Sequence, residues 1–526
     1  MPTTPLQKPG IAGEYLMNCA RIAGLAASIH ILAASGIAAA PGKQSEPPKP
    51  LPRHHHYYPD TQYHVARSDD RTVPTLDEDQ YCVQHDKDGF DIAFIEFDQR
   101  GDFWDREQLA IARSQLHRRS SGKKPLLVEY VHGWHHNAQQ DEHRDVQGFR
   151  ALLSYLAHSE AIKAQGYEVF GVYIGWRGEQ WRSGGDPIGY AAWLPSQLSF
   201  YPEKHIGALV GSMPMVSEAL FWMVHEARRD SCESRTVLIG HSFGAMVLEN
   251  AISQAVASGA AMNGGKDSSA PAPADLILLL NSAADSLHAK GLMEMLDRMG
   301  QSAAPRYFDP NRPLIISVTS EGDWATGSFF PLGTGLANIT KVFRPYTHLG
   351  KNPHTELPKG TTQRDFVTTT PGHNDLLLSH RVRIDAARIA PSTQKIAVPP
   401  AESATAAISA FDANLRDPLP PVGTGEKRIW PFRSVAKDGG ICRSEIEGAA
   451  NAKMHTPYWI VRVPKELIYD HGDIFNEQAL CLYAALFRIE NPTGAKLPCG
   501  PRRLQMAPPV LRPVEAGAAA TTNIPH

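Results

Sequence analysis

The chain has 526 residues, 42% of them hydrophobic, enough for one large domain with insertions or for two domains. Its 52 basic and 55 acidic side chains leave a net charge of −3, so no basic excess points to nucleic acid and no acidic tail points to a solvating segment. Frequent glycine (42) and proline (41) imply long connections between elements.

Six cysteines, Cys19, Cys82, Cys232, Cys442, Cys481 and Cys499, show neither zinc-ligand nor redox spacing. They read as mostly free thiols. A single Cys442–Cys499 bridge is the alternative if the protein is exported.

Residues 1–40 read as a targeting segment. Arg21 precedes an apolar run over 22–40 that ends in Ala38-Ala39-Ala40, a small-residue cleavage pattern. The readings are a signal peptide, an uncleaved membrane anchor or a disordered leader. The first two make the protein exported or membrane-associated rather than cytoplasmic. Residues 41–75 are rich in Pro, His and Asp and read as a linker. His54-His55-His56 lies there, without a fold to hold the three as metal ligands.

The folded domain is expected over 76–490. Its first strand is read at 91–98 and a helix at 104–117. A buried strand over 125–131 ends in His132-Gly133-Trp134-His135-His136-Asn137. The histidines invite a metal reading. No Glu stands between them at metalloprotease spacing, and a loop lacks the helical geometry that unites two ligands. A helix follows at 144–158, then a strand at 167–174 ending in Gly175-Trp176-Arg177-Gly178. The aromatic-rich stretch 179–203 breaks the alternation and reads as a cap over a site, or as plain packing. Residues 205–229 carry apolar side chains at helical spacing.

The apolar run 236–239 then leads into Gly240-His241-Ser242-Phe243-Gly244, and a small-residue helical pattern leaves it. Gly-x-Ser-x-Gly between a strand and a helix is the pattern of a nucleophile elbow. Its chemistry needs a serine on a strained turn, with glycines where flanking side chains would collide. The bland reading is a tight turn without chemistry. Beyond it, strands are read at 275–280 and 313–318, with a helix at 287–299 between them. Residues 334–455 lose the alternation and read as a long insertion, with one helix at 401–415. The last strand is read at 457–463 and a closing helix at 476–488. The Pro- and Ala-rich tail over 491–526 reads as disordered. Near-continuous apolar strands alternating with helices predict an α/β fold with a mostly parallel sheet covered on both faces.

The elbow, the His-Gly strand end and this alternation together resemble the α/β-hydrolase superfamily, over roughly residues 90–335 and 455–490. Within it, Val-His-Gly-Trp-His-His-Asn and Gly-Trp-Arg-Gly are similar to poorly characterised esterase- or lipase-like serine hydrolases. The resemblance implies a nucleophile, an acid and a histidine in that chain order. Ser242 is the expected nucleophile. Asp323, after the second strand beyond the elbow strand, is the expected acid, with Asp285 as the fallback. His471, between the last strand and the last helix, is the expected base. His373 in Pro371-Gly372-His373-Asn374-Asp375 is its rival, and His348 and His354 are weaker. The backbone N–H groups of Phe243 and Trp134 are the expected oxyanion donors. The plain alternative for each polar residue is a satisfied place on a loop.

These residues predict hydrolysis of a carboxylic ester, small or lipid, through an acyl-enzyme that needs no cofactor and no metal. Two other readings stand beside it. One is a catalytically inactive binding or scaffold module on the same fold. The other is a membrane-tethered lipase held by residues 22–40.

Overall fold

The computed structural model describes residues 82–98, 100–133, 138, 144–176, 200–229, 233–262, 273–300, 313–349, 356–384, 428–431, 443–448 and 456–476, with scattered positions between 478 and 486. The leader and linker, the cap over 179–199, Trp134, His135, His136, His354, the helix expected at 401–415, the Cys442–Cys499 pair and the tail lie outside the described residues. Cys82 is a buried free thiol, which burial pushes up to about 12.

Among the described residues, 11 strands form one sheet. They are β1 (Val83–His85), β2 (Asp91–Phe97), β3 (Lys124–Val131), β4 (Tyr167–Trp176), β5 (Arg235–His241), β6 (Leu276–Leu280), β7 (Ile315–Ser320), β8 (His380–Ile384), β9 (Arg428–Pro431), β10 (Arg443–Gly448) and β11 (Tyr458–Val463). Their order is β1-β2-β4-β3-β5-β6-β7-β11-β8-β10-β9. Every pairing from β2 across to β8 is parallel. The pairings at the margins, β1 with β2 and β10 with β8 and β9, are antiparallel. The central strands are apolar on both faces because helices cover both; β6, Leu-Ile-Leu-Leu-Leu, is buried throughout.

The main helices are α1 (Arg106–Ser120), α2 (Arg144–His158), α3 (Glu160–Ala164), α4 (Phe200–Ser212), α5 (Pro214–Arg229), α6 (Phe243–Met262), α7 (Ser286–Gly300) and α8 (Phe330–Ala337). Asp105 caps α1 by accepting the N–H of Glu107, and His117, Arg118 and Arg119 occupy its last turn, where the helix dipole favours cations. The stretch read as one helix over 205–229 is two, bent by 55° between α4 and α5. Pro214 opens the second, because proline has no N–H to continue the first and suits a helix start. Residues 200–203, read as the end of the cap, are the first turn of α4. No single helix among the described residues is long and apolar enough to cross a membrane.

On one face of the sheet, Tyr130 stacks on Phe149 of α2 at 5.4 Å and meets Tyr173 at 5.7 Å and Phe475 at 5.3 Å. Strand alternation turns Glu129 to the opposite face, where α1 and α5 pack on β3. Both its carboxyl oxygens are buried without a hydrogen-bond partner among the described residues, and burial pushes its pKa well above 4.5.

The insertion read over 334–455 carries β8, β9 and β10 into the sheet itself. Ser379 anchors it: its hydroxyl accepts the Ile460 N–H at 2.7 Å and its N–H donates to the Ile460 carbonyl at 3.0 Å.

The path of the chain prepares one place on the sheet edge. It runs from β2 to β3, steps back to lay β4 between them, then crosses to β5 on the far side of β3. With right-handed crossovers, the connections leaving β3 and β5 depart to opposite faces, and a crevice opens at their carboxyl ends.

Candidate active site

Ser242 stands at that crevice, between the end of β5 and the start of α6. Its φ is +55°, a left-handed conformation that costs a non-glycine residue about 1–3 kcal/mol. Backbone bonds hold it there. Its N–H donates to the Leu280 carbonyl at 3.0 Å, and its carbonyl accepts from Ala283 at 3.1 Å and Met246 at 3.3 Å. A side chain at Gly244 would put a Cβ 2.2 Å from the Val131 carbonyl oxygen, and one at Gly240 would put it 2.6 Å from the Ala245 Cα. The elbow helix thus touches the end of β3 backbone to backbone.

His471 lies in the loop after β11. Its Nε2 is 2.8 Å from the Ser242 hydroxyl, and its Nδ1 is 2.9 Å from a carboxylate oxygen of Asp323. The Asp323 side chain is fully buried, whereas that of His471 is 24% exposed. Asp323 opens the loop after β7 and also accepts the backbone N–H of Thr326 at 3.1 Å and the Thr326 hydroxyl. Burial alone would raise the Asp323 carboxyl; His471 and the Thr326 donors outweigh it and hold it down at about 2. For His471, burial pulls the imidazole down, but the Asp323 carboxylate and its hydrogen bond win and raise it above 6.5. Asp323 therefore stays ionised and stabilises any positive charge that reaches the ring.

His241, which precedes the serine, is buried beside this ring at 5.1 Å between centroids. Burial, followed by repulsion from His471, lowers it to about 4, so it stays neutral at ordinary pH.

The other candidates lie elsewhere. Asp285 caps α7 by accepting the His288 N–H at 3.0 Å, and it faces Lys204 at 3.6 Å. His373 packs on the turn that follows Asp323: a Cβ on Gly327 would sit 2.8 Å from its Cε1. Its Nε2 is buried without a partner among the described residues, and burial lowers its pKa. His471, not His373, is the histidine against Ser242. His348 is exposed and bonds the Thr347 hydroxyl at 2.9 Å.

His132 acts as a structural link. Its Nδ1–H donates to the Gly133 carbonyl at 2.8 Å, and its Nε2 accepts the Trp176 N–H at 2.9 Å. The Trp176 indole N–H returns a bond to the His132 carbonyl at 2.9 Å. The ends of β3 and β4 are tied together, and both ring nitrogens are used. Among the described residues no group of three His, Cys, Asp or Glu is placed to hold a metal ion.

Of the two expected oxyanion donors, Phe243 is the first residue of α6, and N–H groups in a first turn have no intrahelical acceptor. Trp134 lies outside the described residues. Its neighbour Gly133 is pressed against Ser242: a Cβ there would sit 3.0 Å from the Ser242 Cβ.

Two further residues shape the site. Thr326 holds Asp323, and Asn281, at the end of β6, reaches the loop of His471. Asn281 has φ +45° and is fully buried. An Asn or Thr beside a strand end is too common a pattern to mark either in advance. No protein-family model, curated protein or solved structure matches this chain.

Proposed function

We propose that the chain is a serine hydrolase of the α/β-hydrolase type that cleaves carboxylic esters through an acyl-enzyme on Ser242. One observation carries the reading: a strained serine, a histidine and a buried carboxylate joined by hydrogen bonds of 2.8 and 2.9 Å. The central strand order β2-β4-β3-β5-β6-β7, with all three residues beyond carboxyl ends of strands, supports the hydrolase type.

The chemistry follows from the geometry. His471 Nε2 takes the hydroxyl proton as Ser242 Oγ attacks the ester carbonyl carbon. Asp323 holds Nδ1–H, which fixes the tautomer and stabilises the imidazolium. The Phe243 N–H, at the start of α6, receives the oxyanion. Collapse expels the alcohol, which takes the proton from Nε2. Water, deprotonated by the same nitrogen, then releases the acid and restores the serine.

The test is hydrolysis of short p-nitrophenyl esters by the full chain. Activity that disappears in a folded Ser242→Ala variant upholds the reading. A folded wild-type protein inert toward these esters and toward serine-directed phosphonates instead favours the binding-module reading.

A further inference from the structure

We infer that Asn281 is a positioning residue that sets the place of His471 through its peptide carbonyl; the inference rests on the assignment of His471 as the base.

The three side chains of the site come from three separate loops, after β5, β7 and β11. Asn281 bonds to the last of these loops and to the end of β7, and its neighbour Leu280 bonds Ser242. Its side-chain oxygen accepts the Ser320 N–H at 3.0 Å, and its own N–H donates to the Val318 carbonyl at 2.8 Å, so it is locked to the end of β7 beside Asp323. Its Nδ2 donates to the His471 carbonyl at 2.9 Å and to the Asp470 carbonyl at 3.3 Å. The amide orientation is dictated by these partners: an N–H needs an acceptor, and two carbonyls need donors. On the strand before it, Leu280 accepts the Ser242 N–H at 3.0 Å. One buried amide therefore stands where the nucleophile's, the acid's and the base's loops meet.

A second donor converges on the same carbonyl. His241 Nε2 lies 2.8 Å from the His471 oxygen, and since a carbonyl only accepts, that nitrogen carries the proton. The His471 backbone is thus gripped from the nucleophile's strand and from the end of β6. Leu467, Ile468 and Ile474 pack the two ends of the loop after β11 into the core, and Tyr469 beside His471 is exposed. The grip from the sheet fixes the ring within reach of Ser242.

The positive φ explains the residue type. Asn tolerates the left-handed conformation that most side chains resist, and it offers a donor and an acceptor on one short arm. Glycine would keep the turn and lose both arms. Aspartate would keep the turn and the acceptor for Ser320 while losing the donors.

The test uses a fluorophosphonate probe on the full chain, with labelling rate measured against probe concentration. Misplacing a reacting group by about 1 Å costs on the order of 100-fold in rate. Asn281→Gly is expected to lower the saturating labelling rate by about 10- to 100-fold, with the half-saturating concentration unchanged within about twofold. The loss should persist on the alkaline plateau, where His471 is neutral, because position rather than protonation has changed. A saturating rate within about twofold of wild type, in a variant with native circular dichroism, overturns the inference, as does an equal loss of probe affinity. If Asn281→Gly does not fold, Asn281→Asp is read by the same criteria on the same plateau. Failure of the underlying reading looks different: wild type itself is then unlabelled, or Ser242→Ala labels as fast as wild type.

Discussion

Glu129 should be a net liability to the fold, and its removal should stabilise the protein in a pH-dependent way. Its two carboxyl oxygens are buried on the α1–α5 face of the sheet with no partner among the described residues. Burial raises its pKa well above the ordinary 4.5. The unfolded chain releases this proton above 4.5 while the folded chain keeps it, so the unfolded state binds fewer protons and stability falls as pH rises. Where the fold still holds the proton and the unfolded chain has released it, stability falls by about 1.4 kcal/mol for each pH unit. Glu129→Met nearly keeps the volume and removes the ionisable group. Its stability gain should be larger at pH 7 than at pH 5, by about 1.4 kcal/mol for each unit over which the fold keeps the proton. Urea unfolding followed by circular dichroism at pH 5, 6 and 7 reads both the gain and its slope. A gain of the same size at every pH, or a loss of stability, would refute the buried neutral carboxyl.

Two predictions concern the base. His471→Ala should lose turnover on short p-nitrophenyl esters comparably to Ser242→Ala, on the order of a million-fold, because the members of such a set act as a unit. His373→Ala should cost at most about tenfold, or about 1.4 kcal/mol of barrier, since that ring packs on the Asp323 turn and not on the serine; steady-state kinetics on the two purified variants decides between them. The acidic limb of kcat/KM should have its midpoint above 6.5: Asp323 raises the His471 pKa, and the base must be neutral to accept a proton. A pH–rate profile with its midpoint below 6.5 would contradict that pairing.

The central strands were legible in the sequence because burial on both faces demands unbroken apolar runs, as in Leu276–Leu280. The elbow was legible because glycine is imposed where the helix meets β3 backbone to backbone. Asp323 and His471 followed from the nucleophile, acid and histidine order that the resemblance implies, which places them in the loops after β7 and β11. The strands within the insertion were not legible. His380–Ile384 reads His-Arg-Val-Arg-Ile and Arg443–Gly448 reads Arg-Ser-Glu-Ile-Glu-Gly, charged sequences without the apolar run of a central strand. The short β1, Val-Gln-His, carries too few residues for any period to emerge. Asn281 was invisible for a different reason. Its carbonyl partners lie 189 and 190 residues away, and no local pattern encodes a bond made across the fold.

The account turns on whether Ser242 is an activated nucleophile. Reacting the full-length protein with a fluorophosphonate probe and locating the adduct by peptide mass spectrometry tests this without assuming a substrate. The geometry predicts one rapid adduct, on Ser242, that is lost in Ser242→Ala and slowed severely in His471→Ala while both variants keep the wild-type circular dichroism spectrum. A folded wild-type protein that takes up no probe, or an adduct on another residue that survives Ser242→Ala, would contradict it.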